Sequence, residues 1–188
     1  MLARDVCRNA GDTSIGVFSG LSRGGMDGRL GIKAFCVTQD VEVEQFPVYV
    51  NLVVAGRERV GPRQFARDGS IYSFSSGVDR YSGKQISLLT NDVELVRSVS
   101  AAGFNPPPPW LAWYELGSLI YNLQGDVQYW YENVWDQCWE SLSLAEQDAF
   151  IEGRRSSAHV FLSEEEWAEW IDTIRTRDAR YRERLRDG

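Results

Sequence analysis

Along the first half of the chain apolar and polar residues alternate; along the second, apolar residues recur at helical spacing. In "DVEVEQF", Val41 and Val43 alternate with Glu42 and Glu44, a period of two that predicts a half-buried strand. The β-branched run "FPVYVNLVV" predicts a more buried strand, with Gly56 placed to turn the chain. "LGIKAFCVT", "SIYSFSS" and "TSIGVFS" add further strands, and glycines gather between them in "GLSRGGMDGRLG". "TNDVELVRSVSAAG" then changes period. Asn91 as a cap, Glu94 three residues on and Gly103 at the far end predict one short helix near 91–102.

Past "NPPPP" the pattern is helical throughout. "WLAWYELGSLIYNLQG" predicts one helix ending near Gly125, and "DVQYWYENVWDQCWESL" a second. Ser143 and Glu146 form a capping box that opens a third, which Gly153 is placed to end. Ser163 and Glu166 open a long final helix, with Trp167, Trp170, Ile171, Ile174, Tyr181 and Leu185 at inward spacing. All seven tryptophans lie at or after Trp110. Four prolines form an extended, stiff segment that donates nothing to a hydrogen-bond ladder, which suits a joint. A ligand for proline-binding domains would need a basic residue beside an exposed PxxP, and residues 105–114 hold none. The expected fold class is therefore α+β. A mainly antiparallel N-terminal sheet (1–105) joins through the polyproline segment to an aromatic-rich helical layer (106–188), as one compact domain sharing a core.

Composition narrows the function classes. At 188 residues and 43% hydrophobic, the chain can bury a core without disulfides or metals. Cys7, Cys36 and Cys138 are distant, odd in number and lack CxxC spacing, which predicts reduced thiols and a cytoplasmic protein. The N-terminus lacks the apolar core of a signal peptide, and no apolar run nears the roughly 18 residues of a membrane span. The net charge of −7 speaks against a nucleic-acid partner, whose phosphates require Lys and Arg. The acidity is local: residues 110–163 carry eight carboxylates against only Arg154 and Arg155.

No segment spells out catalysis. The lone His159 sits between predicted helices with no nucleophile motif near it. The glycine-rich "SGLSRGGMDGRLG" and the "SGK" at 82–84 lack the GK[ST] and strand-loop-helix setting of a phosphate loop, and read as hairpin turns. Cys138 falls on an apolar stripe as a small core residue, and "IEGRR" reads as a helix end. No HExxH or DxDxDG spacing occurs, so neither a metal nor a cofactor is expected. The arginines from Arg175 to Arg186 are interleaved with acids, as on a solvated helix.

The helix from 126 to 140 offers one candidate surface. Val127, Tyr131, Val134, Trp135 and Cys138 gather on one side, flanked by Trp130 and Trp139, and should face a core. The other side gathers Tyr129, Glu132, Asn133, Asp136 and Glu140. A tyrosine ringed by carboxylates suits a basic protein partner: the ring supplies contact area, the acids steer approach. The segment "NPPPPWLAWYELGSLIYNLQGDVQYWYENVWDQCWESLSLAEQDAF" and the trailing "SEEEWAEWI" resemble segments of short bacterial proteins, the immunity proteins of polymorphic-toxin and contact-dependent competition systems. That resemblance implies a chain that binds and neutralises a cognate toxin, such as a nuclease with a basic cleft, and carries no catalytic residues. Two other readings stand beside it. One is a phage or host inhibitor, or an effector adaptor-chaperone; the other is an enzyme using two carboxylates from different segments.

Overall fold

The computed structural model describes residues 16–19, 33–118 and 123–187. The chain divides into two compact units between Phe104 and Asn105, at the head of the proline run. The fold is α+β. In the first unit β1 (Gly16–Ser19), β2 (Lys33–Glu42), β3 (Glu58–Gly61), β4 (Gln64–Arg67), β5 (Ile71–Arg80) and β6 (Gly83–Thr90) form one antiparallel sheet in the order β1-β2-β6-β5-β4-β3. Two helices accompany it, α1 (Phe46–Val54) and α2 (Val93–Ala101). β2 pairs along its length with β6, from Phe35 opposite Thr90 to Glu42 opposite Gly83. β5 and β6 are joined through Tyr81 and Ser82, both at positive φ (50° and 56°). That is the mirror-image turn whose twist matches a hairpin; Ser82 of "SGK" lies in it, while Gly83 and Lys84 open β6. Ile86, Leu88 and Thr90 are buried at period two along β6. Ile86 and Leu88 join Val37 and Val41 of β2, Tyr49 and Val53 of α1, and Leu95 and Val99 of α2 in one apolar core.

The run "FPVYVNLVV" is α1, not a strand, so the described residues of this unit hold two α-helices rather than the one expected. Pro47 occupies the first turn, where its missing N–H costs nothing. Tyr49 and Val53 then recur four residues apart and are buried to 1% and 2% exposure. Arg57 closes the helix end: its Nη1 donates to the carbonyls of Leu52 (3.0 Å), Val53 (3.3 Å) and Ala55 (2.9 Å). β-branched residues lose only tenths of a kcal/mol each in a helix, so burial of one face prevails. The alternation in "DVEVEQF" stops at Glu42, which is itself buried, while Val43 opens a single 3₁₀ turn and is exposed. α2 is capped by Asp92 rather than Asn91: its carboxylate accepts from the Leu95 N–H at 3.1 Å. The turn expected within "GLSRGGMDGRLG" lies outside the described residues, as does Cys7.

The second unit is helical. Pro109 opens α3 (Pro109–Ala112), Pro108 preceding it in extended geometry (φ −67°, ψ 159°). The single helix expected to Gly125 does not form. A 3₁₀ turn at Tyr114–Leu116 ends at Gly117, whose φ of 73° only glycine adopts without strain. α4 (Gly125–Trp130), a π-helical segment (Tyr131–Trp135) and α5 (Asp136–Ser141) follow without a break. α6 (Leu144–Ala158) and α7 (Glu164–Arg177) both open on the expected capping boxes. α6 runs through Gly153 to Ala158, because that glycine keeps helical geometry and points to open space. The final helix breaks at Asp178 (ψ 121°), and α8 (Ala179–Asp187) starts afresh, leaving Leu185 exposed. Cys138 is buried and disulfide-bonded, whereas Cys36 is a free, half-buried thiol. The expectation of reduced thiols throughout thus fails at Cys138, since spacing along a sequence does not limit which sulfurs the fold brings together.

Candidate functional site

The helix from Gly125 to Ser141 is anchored by its aromatic side. Trp130 stacks on Trp135 (centroids 5.9 Å, planes 10° apart), and Trp135 on Trp139 (5.5 Å, 19°). Phe150 of α6 closes on Trp135 and Trp139 at 6.0 and 6.2 Å, and on Trp110 of α3 at 6.2 Å. Trp110 meets Trp167 of α7 edge-on at 4.9 Å. Such pairs add roughly 0.5–1.5 kcal/mol each beyond the area they bury. The sequence pattern puts Trp130 and Trp139 at the margins of the stripe; in the fold they are fully buried within it.

The five residues singled out on the opposite side do not behave alike. Tyr129 is 47% exposed, and its carbonyl accepts from Asn133 Nδ2 at 2.9 Å. Glu132 and Glu140 are exposed, and Gln128 donates to Glu132 at 2.9 Å. Asp136 is different. Arg177 of α7 grips it with two bonds, Nη2 to Oδ2 at 2.6 Å and Nε to Oδ1 at 3.3 Å, leaving its side chain 23% exposed. The same guanidinium lies over the Tyr131 ring, 4.3 Å from its centroid. Asp136 therefore ties the helix to α7, and the outward charge is carried by Glu132 and Glu140.

A second polar seat has no counterpart among the sequence expectations. Asp178, 2% exposed, caps α8 by accepting from the Arg180 N–H at 2.9 Å. Its carboxylate also receives Arg180 Nε at 3.0 Å, Arg180 Nη2 at 2.5 Å and Gln147 Nε2 at 2.8 Å. Gln147 reaches on to the Trp139 carbonyl at 2.9 Å, and Arg180 Nη1 to that of Leu142 at 2.9 Å. Burial pushes the Asp178 carboxyl up, but the donors of Arg180 and Gln147 outweigh it and hold it at about 2. Arg175 pairs with Asp148 at 2.5 Å, and Arg182 donates to the Thr176 and Arg177 carbonyls. Four of the six terminal arginines, Arg175, Arg177, Arg180 and Arg182, thus serve the fold. The one signal in the sequence is an Asp followed two residues later by Arg, and such spacing is common on any charged helix.

His159 is half-buried at the end of α6 rather than solvated. Its Nδ1 lies 3.3 Å from the Leu162 carbonyl, and Nε2 lies 3.3 Å from Arg155 Nε and 3.4 Å from Glu164.

The first unit holds a cavity of about 490 Å³ between α1 and the sheet. Its apolar wall comes from α1, with Tyr49, Val50 and Val53 among the contributors, and from Phe65 of β4. Arg59, Arg63 and Lys84 stand around it, with Ser75, Ser76 and Gly77 of β5 opposite. Reading α1 as a strand hides this site, since a strand there leaves no helix-over-sheet hollow.

Among the described residues no group of three or more His, Cys, Asp or Glu side chains could hold a metal ion. No helix among them is long and apolar enough to cross a membrane. No protein-family model, curated protein or solved structure matches the chain.

Proposed function

We propose that this chain is a protein-binding inhibitor of the immunity type, which captures and neutralises a basic toxin domain through the outward side of the helix from Gly125 to Ser141. One observation carries the reading: Tyr129 stands exposed between outward carboxylates on a helix whose other side is locked by stacked tryptophans. A rigid aromatic anchor binds at low entropic cost, because little freedom remains to be lost. Glu132 and Glu140 supply the steering charge: both side chains are exposed, and Glu132 accepts only from the neutral Gln128 among the bonds of the described residues. The segment's excess of carboxylates extends that field over its neighbours.

Action in the cytoplasm would require Cys138 to be reduced there, whereas an oxidising compartment preserves its disulfide. Thiol alkylation immediately on lysis tells the two apart. The binding test uses two baits, the wild-type chain and Glu132→Lys/Glu140→Lys, exposed to a lysate of the source cells. The expected result is a basic protein retained only by wild type, toxic when expressed alone and silenced when the wild-type chain is co-expressed. Equal retention by both baits, or toxicity that persists beside the wild-type chain, overturns the reading.

A further inference from the structure

The cavity under α1 points to a small-molecule site distinct from the helix surface. We infer that it binds a small amphipathic anion, a single carboxylate or phosphate head on an apolar body. Its volume of about 490 Å³ falls within the range of ligand pockets, roughly 300–1,000 Å³. Its lining divides by chemistry. Phe46, Tyr49, Val50, Val53, Val54 and Phe65 offer carbon, while Arg59, Arg63 and Lys84 supply every charge in the lining, all positive. Val50 and Val54 are each 37% exposed, more than such residues show in a filled core.

The cations are not equivalent. Lys84 already pairs with Asp79 and lies over the Phe46 ring, 5.0 Å from its centroid. Arg59 bonds only weakly to its own turn, Nε to the Gly61 carbonyl at 3.4 Å. Neither Arg59 nor Arg63 has a carboxylate partner among the described residues. Arg63 is held in the left-handed region (φ 60°), and its carbonyl accepts from the Ser75 N–H at 3.0 Å. Its backbone is thereby fixed against β5, on the wall of the cavity. The two arginines in the lining offer guanidinium forks that match the paired oxygens of a carboxylate or phosphate. The apolar part of the lining accepts a chain or ring. The Tyr49 hydroxyl, bonded to Ser75 Oγ at 2.7 Å, forms the polar point on that wall.

Calorimetric titration of the full chain tests this with five probes: decanoate, decyl phosphate, decyltrimethylammonium, acetate and inorganic phosphate. Decanoate or decyl phosphate should bind at one site, and whichever binds more tightly identifies the head group. The cation of equal chain length, and the two anions without a chain, should bind at least about tenfold more weakly. Arg59→Ala/Arg63→Ala should weaken the preferred anion by about tenfold or more, each charged hydrogen bond contributing in that range. Both arginines lack ion pairs, so the fold should survive, as circular dichroism can verify. Gly77→Val provides a charge-neutral second variant. A Cβ there would meet its neighbours no closer than 3.8 Å, so the first carbon fits, the γ-methyls take up space beside Phe46, and circular dichroism checks that β5 persists. It too should weaken binding. Absence of binding by both decyl anions, equal affinity for the decyl cation, or retention within about twofold in either variant would overturn the assignment. Inorganic phosphate binding as tightly as decyl phosphate would likewise reduce the site to a plain anion hole.

Discussion

Trp130 and Trp135 lie stacked with their planes 10° apart, although they stand five positions apart in the chain. In a regular α-helix five residues advance the side-chain direction by about 140° past a full turn, which would splay the two rings. The π-helical segment at Tyr131–Trp135 bonds one residue further back and returns Trp135 to the side of Trp130. The stack and the irregular turn are therefore one feature. Trp135→Ala should cost about 3–5 kcal/mol by the usual large-to-small scale. A double-mutant cycle with Trp130→Ala should show a coupling of about 0.5–1.5 kcal/mol. Additive denaturation midpoints would mean the rings do not act as a pair.

Gly153 tests how α6 is held. It lies mid-helix, and a Cβ added there would have nothing within 4 Å, so an alanine meets no neighbour. Gly153→Ala should stabilise by about 0.5–1 kcal/mol, because glycine loses more backbone freedom on entering a helix. A loss of stability would instead place a helix end at that residue.

Asp92 joins three elements of the sheet unit. It caps α2, bonds Arg57 at the end of α1, and receives Arg67 of β4 at 3.2 Å, with its own side chain 1% exposed. Removing one partner of such a buried group leaves the remaining charges uncompensated, at about 3–5 kcal/mol. Asp92→Ala should therefore lower a urea midpoint far more than Glu94→Ala, whose pair with Arg97 is exposed. Equal effects would show that the cluster is effectively solvated.

Acid should act through Asp178. Its carboxyl is held at about 2 in the fold against an ordinary 3.8, so the unfolded chain binds the proton more readily. The stability this confers is fully present above about pH 4 and is lost as pH falls from there through about 2. In Asp178→Asn the slope of stability against pH should flatten across that window, while the variant is weaker at neutral pH. An unchanged slope would mean that Arg180 and Gln147 do not bind the carboxylate in solution.

Much of the fold was legible because local signals and tertiary packing agreed. Ser143 with Glu146 and Ser163 with Glu166 bring cap and first turn together within four residues, and both boxes form. Val37 and Val41, in two runs read as strands, are both buried along β2, whereas β6, which carries Ile86 and Leu88, drew no expectation of its own. Failure came where a distant partner decided the outcome. "FPVYVNLVV" has strand composition, yet Arg57 and Asp92 close it as a helix, and residues thirty-odd positions apart cannot be matched by eye. Asp178 breaks a continuous helical pattern because Gln147 and Arg180 reward the break. The outward side of the helix was legible as a set, but Asp136 could not be separated from Glu132 and Glu140 without knowing where Arg177 lies.

That separation shapes the binding prediction. Glu132→Lys/Glu140→Lys reverses charges that are exposed, so the fold should hold while association with a captured basic partner slows most, since steering acts on encounter. Tyr129→Ala should instead hasten dissociation, by the equivalent of about 1–3 kcal/mol, because it removes packed contact area rather than charge. Asp136→Lys is the discriminating variant. Lysine there faces Arg177 and breaks a half-buried pair, so loss of stability should accompany any loss of binding. Salt should weaken wild-type association and affect the doubly reversed chain less, as the Debye length falls from about 10 Å at 0.1 M to about 3 Å at 1 M. Surface plasmon resonance across that range, with circular dichroism on each variant, resolves the three effects. If the doubly reversed chain associates as fast as wild type at low salt, the helix surface is solvated only, and the partner docks elsewhere.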